Sequence, residues 1–161
     1  SIWLVGWSPT SVFGIYPKNS VAGYKMEDLG KILTKDSGGT NEFTAYVTHH
    51  KWSLGLAVQD YRAVARVCNI DTSAWKADLS AGANIIMSIY DAVAAIFDIS
   101  AVSPVLYMNR KTFSMYNQQL AKSGTVNLLE YIERGGARIP HALGIPIRIS
   151  DALTITEDVV S

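Results

Sequence analysis

A mixed α+β fold is what this sequence predicts, and three observations lead there. About the first seventy residues hold short β-like runs broken by turn clusters. After Asp71 the pattern changes to a helix-length amphipathic stretch, a short apolar strand, a second helix and a further strand. The composition is that of an ordered chain, with 48% hydrophobic residues and only 17% charged ones, against about 25% charged in an ordinary domain. The 161 residues carry 14 basic and 14 acidic side chains, a formal net charge of zero. These values exclude intrinsic disorder, a basic nucleic-acid-binding domain and an acidic tail. Few charges that sum to zero also favour association over a solitary life in water.

Each element follows from local pattern. Ile2 to Trp7 and Val12 to Tyr16 read as short strands around the turn cluster Ser8-Pro9-Thr10-Ser11. Pro17 to Gly30 reads as loop, punctuated by Gly23 and Gly30. Ile32 to Thr34 pairs with Phe43 to Thr48 across Asp36-Ser37-Gly38-Gly39-Thr40, a strong turn signal. Glu42 to Val58 alternates, and its phase break at His50-Lys51 predicts one long strand with a bulge. Tyr61 to Ile70 fits strand or helix equally. Asp78 or Ser80 can cap a helix over Ala81 to Phe97, with Ile85, Ile89, Ala92, Val93 and Ile96 at helical spacing. Pro104 to Met108 is a buried strand, and Asn109 caps a helix ended by Gly124. Thr125 to Arg138 reads as loop or short helix, Ile145 to Ile149 as strand, and Ala152 to Val160 alternates weakly.

Further bounds are quick to set. Cys68 is the single cysteine, which excludes an internal disulfide framework and a thiolate zinc site and fits a reducing compartment. The longest apolar candidate, Ile85 to Ile99, is cut by Asp91 and Asp98 and falls short of the roughly 18 residues of a membrane span. No signal peptide is recognisable. The chain lacks an initiator Met and begins inside the apolar run Ile2-Trp3-Leu4-Val5. Natural ends are usually loose and polar, so this start reads as that of a fragment or processed product.

Chemical constellations are sparse. His49 and His50 are neighbours on a strand and point to opposite faces, while His141 is far off in sequence, so no metal set forms. Asn84, Asp91 and Asp98 recur every seven residues and read as the solvated stripe of a helix, as do Glu130 and Glu133. Cys68 has no base near it in sequence, and no Gly-x-Ser-x-Gly elbow occurs. Lys25 and Ile32 flank Gly30-Lys31 where a phosphate loop needs Gly and Ser or Thr. Arg62 and Arg66, interleaved with Trp52, Tyr61, Trp75 and Lys76, read as ion-pair or interface residues. Trp3, Trp7, Trp52 and Trp75 suit either a core or an interface, where large amphipathic rings are enriched. An enzymatic alternative would sit near Asn109, Arg110, Ser150 and Asp151, at the carboxyl ends of two strands.

Several segments in order resemble one family. They are Ile2-Trp3-Leu4-Val5-Gly6-Trp7, Gly14-Ile15-Tyr16-Pro17-Lys18, Ala22-Gly23 and Glu27-Asp28-Leu29-Gly30. Then come His50-Lys51-Trp52, Gly55-Leu56, Asp60-Tyr61-Arg62 and Arg66-Val67-Cys68-Asn69-Ile70-Asp71. Tyr107-Met108-Asn109-Arg110, Gly144-Ile145-Pro146-Ile147-Arg148 and Asp151-Ala152-Leu153 complete the set. Together they resemble the C-terminal half of the major capsid protein of tailed, podovirus-like bacteriophages, which has a permuted HK97-like fold. Gln59, Tyr61, Ala63 and Cys68 depart from that pattern.

The resemblance implies an α+β HK97-like capsid fold, the A domain with part of the P domain, lacking the N-terminal arm, extended loop and spine helix. Residues 1–71 would contribute strands to the A and P domains. Residues 72–161 would form the A-domain-like part, helix–strand–helix–loop–strand, with the stretch from Gly82 to Ile149 around the capsomer axis. It implies no catalysis and no cofactor or metal, and a virion protein made in the bacterial host cytoplasm. Pentamers and hexamers of the chain would enclose double-stranded DNA without sequence specificity. The implied partners are the chain itself and decoration or scaffolding proteins, with no membrane. An encapsulin-type shell and an accessory virion protein are the neighbouring alternatives. Ring closure needs heterologous edges that fit. The loops Gly23 to Lys35 and Lys122 to Arg138 are the expected subunit contacts, with Arg134 and Arg138 pairing across a boundary with Glu27, Asp28 or Asp36.

Overall fold

Ile2, Leu4 and Gly6 alternate with Trp3, Val5 and Trp7, and the resulting strand runs through the centre of the larger sheet. The computed structural model describes residues 1–71, 84–123, 129–134 and 136–160. Its strands are β1 (Ile2–Trp7), β2 (Val12–Ile15), β3 (Tyr24–Lys35), β4 (Glu42–Trp52), β5 (Gly55–Val58) and β6 (Val64–Val67). They continue with β7 (Ser103–Met108), β8 (Leu129–Arg134), β9 (Ala137–Ala142) and β10 (Ile145–Ile149), and the helices are α1 (Ile85–Ala95) and α2 (Arg110–Ser123). Contacts group Ser1–Phe13 with Val58–Ser161 in one compact unit and Gly14–Ala57 in a second.

In the first unit β1 pairs antiparallel with β7 along its whole length, from Ile2↔Met108 to Trp7↔Ser103. Its other edge takes β6 antiparallel, from Ile2↔Val67 to Val5↔Val64, and then β2 in parallel at Trp7↔Val12. β10 lies parallel to β7, and β9 and β8 follow it antiparallel. One face of this sheet is the core. Ile2 and Leu4 of β1, Leu106 and Met108 of β7, and Ile147 of β10 are each at most 2% exposed. α1 covers them with Ile85, Ile89 and Ala92, at the i, i+4, i+7 spacing of an amphipathic helix, and α2 with Met115, Tyr116 and Leu120, of which the last two are one turn apart. Each of the Ile, Leu and Met side chains contributes about 1.5–3 kcal/mol by leaving water. Burial also pushes the Tyr116 phenol up to about 12. The opposite face of β1 is aromatic and half-buried: Trp7 Nε1 donates to the Tyr107 hydroxyl at 3.0 Å, and the Arg66 guanidinium lies 5.0 Å from the Trp3 ring.

Several expectations need correcting. Pro17 to Gly30 is loop only up to Tyr24, where β3 begins, because pairing with β4 carries strand structure through Lys25, Glu27 and Asp28. The run Glu42 to Val58 is two strands, with β4 ending at Trp52 and β5 starting at Gly55; the register shift lies in β3 between Asp28 and Gly30. Tyr61 to Ile70 resolves into a 3-10 turn at Tyr61–Ala63, capped by Asp60, followed by β6. α1 is capped by Asn84, whose Oδ1 accepts from Met87 N–H at 3.2 Å, and Gln119 Oε1 accepts from Ile85 N–H at 3.0 Å. Asp78, Ser80, Gly82, Trp75, Lys76 and Gly124 lie outside the described residues. In place of a loop or short helix, Leu129–Arg134 and Ala137–Ala142 are the antiparallel strands β8 and β9. Residues 152–160 hold no strand.

Candidate interface surfaces

The second unit is a ribbon. β3 and β4 pair antiparallel from Tyr24↔Trp52 to Lys35↔Glu42. Asp36 closes the turn: one carboxylate oxygen accepts from Thr40 N–H at 3.1 Å, and the other from Asn41 Nδ2 at 3.1 Å. The Thr40 N–H, more than any other neighbour, holds this carboxyl below the usual range. Asp28 Oδ1 accepts from Gly30 N–H at 2.9 Å and so shapes the bulge. Glu27 lies opposite His49 and 3.7 Å from the Lys25 ammonium. At the base, Trp52 Nε1 donates to the Ala22 carbonyl at 2.8 Å, and the Tyr24 hydroxyl is 2.6 Å from His50 Nδ1.

What distinguishes this unit is how little it buries. Gly23 is the sole buried residue of 14–57, while Tyr46 is 78% exposed and Trp52 70%. A lone two-stranded ribbon is marginal in water, and exposed apolar side chains grouped in this way are what an interaction surface offers.

The second candidate surface is the β8–β9 pair, where Arg138 lies opposite Glu133 and Arg134 opposite Ala137. Glu130, Tyr131, Ile132, Glu133 and Arg138 are exposed; the side chain of Arg134 lies outside the described parts. The expected interface residues thus fall into two sets. Glu27, Asp28 and Asp36 belong to the ribbon and have local partners within it; Arg134 and Arg138 belong to the other unit.

The four residues of the enzymatic alternative do come together. Arg110 Nη2 lies 3.0 Å from Asp151 Oδ2, Asn109 Nδ2 donates to the Leu153 carbonyl at 2.6 Å, and Ser150 N–H donates to the Met108 carbonyl at 3.0 Å. Asn109 Oδ1 also accepts from Lys111 N–H at 2.9 Å, capping α2. Arg110 and Asp151 satisfy each other, while Asn109 and the Ser150 N–H bond to other residues. Arg110 holds the Asp151 carboxyl low, which suits an ion pair and not a proton shuttle. Among the described residues, no three His, Cys, Asp or Glu side chains stand close enough to hold a metal, and no helix is long and apolar enough to cross a membrane.

A family model described as major capsid protein GP7 matches residues 1–161. The chain belongs to that family. Membership makes it part of a major capsid protein, a structural protein. A chain in the near-atomic-resolution cryo-EM structure of bacteriophage epsilon15 is similar, with 34% identity and a TM-score of 0.62. The match covers 99% of this chain and 48% of that one, so the chain spans about half the length of its structural relative. No curated protein matches.

Sequence reading of this capsid-family chain caught two structural residues and missed two ties. Arg62 pairs with Asp60 through Nε and Nη2 at 3.0 and 2.9 Å and lies 4.5 Å from the Phe97 ring centroid; Arg66 pairs with Glu157 at 3.2 Å. Both were expected as ion-pair or interface residues. Asn69, missed, donates from Nδ2 to the Val160 carbonyl at 2.8 Å and accepts from its N–H at 2.9 Å. The pairing spans 91 positions, and its one local signal is Asn69 itself, at φ +54. The bulge-forming role of Asp28 was missed as well, although Asp-x-Gly is a recognisable turn signal.

Proposed function

We propose that the chain is the part of a major capsid protein through which subunits associate into pentamers and hexamers of an icosahedral, HK97-like phage head around double-stranded DNA. The observation that carries this reading is the ribbon at 14–57, which leaves large apolar side chains open on both faces within a chain of this family. Heterologous contacts that close into rings would cover it. In this reading residues 1–71 contribute strands to the A and P domains and residues 72–161 form the A-domain-like part. The chain is a virion protein synthesised in the host cytoplasm, and its partners are further copies, decoration or scaffolding proteins, and packaged DNA bound without sequence preference.

The test is expression of the full-length capsid protein in its phage background and electron microscopy of the product. DNA-filled shells are expected; a soluble monomer would overturn the reading. Arg134 and Arg138 are proposed to pair across subunit boundaries with Glu27, Asp28 or Asp36. Charge reversal of both arginines is expected to reduce particle yield while subunit melting is unchanged, and normal particles would remove them from the interface.

A further inference from the structure

The ribbon changes its apolar side halfway along its length, and the change is written into the register. Opposed residues share a face and successive residues alternate. Below the bulge one face carries Tyr24, Met26 and Trp52, while the other carries Lys25, Glu27, His49 and Lys51. Above it that second face carries Ile32, Phe43, Ala45 and Val47. The first face there holds Lys31, Lys35, Glu42 and Tyr46, with Leu33 its one aliphatic residue. Lys35 and Glu42 pair at 3.3 Å, and the Lys31 ammonium lies 5.4 Å from the Tyr46 ring centroid.

β4 makes this switch in its own sequence, since Phe43, Ala45 and Val47 are odd positions and Trp52 is even. β3 does not: Tyr24, Met26 and Ile32 are all even. One additional residue is required for both strands to present their apolar side chains together, and Leu29 supplies it. Asp28 Oδ1 holds the bulge by accepting from Gly30 N–H, and Gly30 takes φ +68, which a side chain would disfavour. A Cβ at Gly30 would meet nothing within 4 Å, so backbone conformation and not space requires the glycine.

We propose that the ribbon is a two-sided tie between copies of this chain, its base docking through Tyr24, Met26 and Trp52 and its tip docking through Ile32, Phe43 and Val47 on the opposite side. This rests on the shell reading above. Two features select a second copy as the occupant. Tyr24, Met26 and Trp52, 42%, 61% and 70% exposed, are three side chains, far short of the about 800 Å² per partner of a stable interface. Patches this small become effective where the same contact repeats around a closed assembly. The ribbon between Tyr24 and Trp52 also balances Lys25, Lys31, Lys35 and Lys51 against Glu27, Asp28, Asp36 and Glu42, so like meets like without net repulsion.

The experiment is in vitro assembly of the purified full-length capsid protein, followed by electron microscopy and by thermal melting of the unassembled subunit. Four forms are compared: wild type, deletion of Leu29, Ile32→Ser with Phe43→Ser, and Tyr46→Ser. Deletion of Leu29 moves Ile32 to the other face and is expected to lower the assembled fraction about tenfold or more, as is the double substitution. Tyr46→Ser, at the most exposed of these aromatics but on the side facing no partner, is expected to assemble as wild type. Normal assembly of the Leu29 deletion, or equal damage from Tyr46→Ser, overturns the two-sided tie and leaves the shell reading standing. Sensitivity that emerges only when a second virion protein is added overturns the choice of a copy as occupant. If the wild type forms no shells under any condition, the shell reading and this inference fall together.

Discussion

The two units of this chain use the same raw material to opposite ends. In the sheet of the first unit, alternation sends Ile2, Leu4, Leu106 and Ile147 against two helices, and almost nothing of them remains in water. In the ribbon of the second, alternation sends Phe43, Tyr46 and Trp52 outward, each about half-exposed or more. Strand periodicity by itself therefore does not build a core. It sorts side chains onto two faces, and another layer must arrive to cover one of them. The first unit carries its covering layer in α1 and α2; the second has none of its own.

That contrast can be broken in order of effect. Leu106→Ala removes a fully buried side chain and is expected to cost about 2–5 kcal/mol, read as a large fall in melting temperature of the subunit. Leu33→Ala in the ribbon, at 62% exposure, is expected to stay within about 0.5 kcal/mol in the same assay. Equal losses would mean the ribbon is covered in the free subunit. Gly23→Ala comes next. Gly23 holds φ +82, its carbonyl accepts from Ser53 N–H at 2.9 Å, and an added Cβ would overlap the Ser53 carbonyl oxygen. The expected loss is about 1–3 kcal/mol, confined to the ribbon and visible as faster amide exchange at its base with unchanged exchange in β1 and β7.

Smaller effects sharpen the comparison at the surface. Asn69→Ala removes both hydrogen bonds to Val160 and is expected to cost about 1 kcal/mol, with exchange at Val160 accelerating first. The turn at Asp36 adds a pH dependence. Its carboxyl sits below the ordinary value when folded, so its contribution is complete above the unfolded-state value and fades as pH falls through the folded one. Amide exchange at Thr40 is expected to quicken below the normal carboxylate range in the wild type and to lose that dependence in Asp36→Asn. Arg110→Ala is placed last: the pair with Asp151 is 73% and 64% exposed, so solvent screening is expected to leave the melting temperature of the subunit unchanged by its loss.

What could be read from the sequence follows the same division. β1, β7 and β10 were legible because burial demands compact apolar runs, and Ile2–Trp7, Pro104–Met108 and Ile145–Ile149 supply them. The Asp36–Thr40 turn was legible because Asp, Ser and two glycines leave the chain few other choices. The lower half of β3 was not. Lys25, Glu27 and Asp28 suit a solvated loop, and they become strand through the distant partner Trp52 to Thr48, which no local window contains. The β8–β9 pair hid for the same reason, with Pro140 and the charged residues Glu133 and Arg138 diluting its alternation. The acids nominated for the interface were picked by charge alone. Asp28 and Asp36 turn out to organise backbone, a role visible only once the N–H groups they serve have positions.

The open edges of the ribbon carry a liability. Among the described residues β3 and β4 form a two-stranded sheet, and the outer edges of such a ribbon are lines of backbone donors and acceptors on which a foreign strand could polymerise. Four lysines along the ribbon and a kink at Leu29 are the devices that blunt such edges. The bulge that sorts the ribbon's apolar side chains therefore also interrupts the regular edge along which fibrous aggregation would propagate.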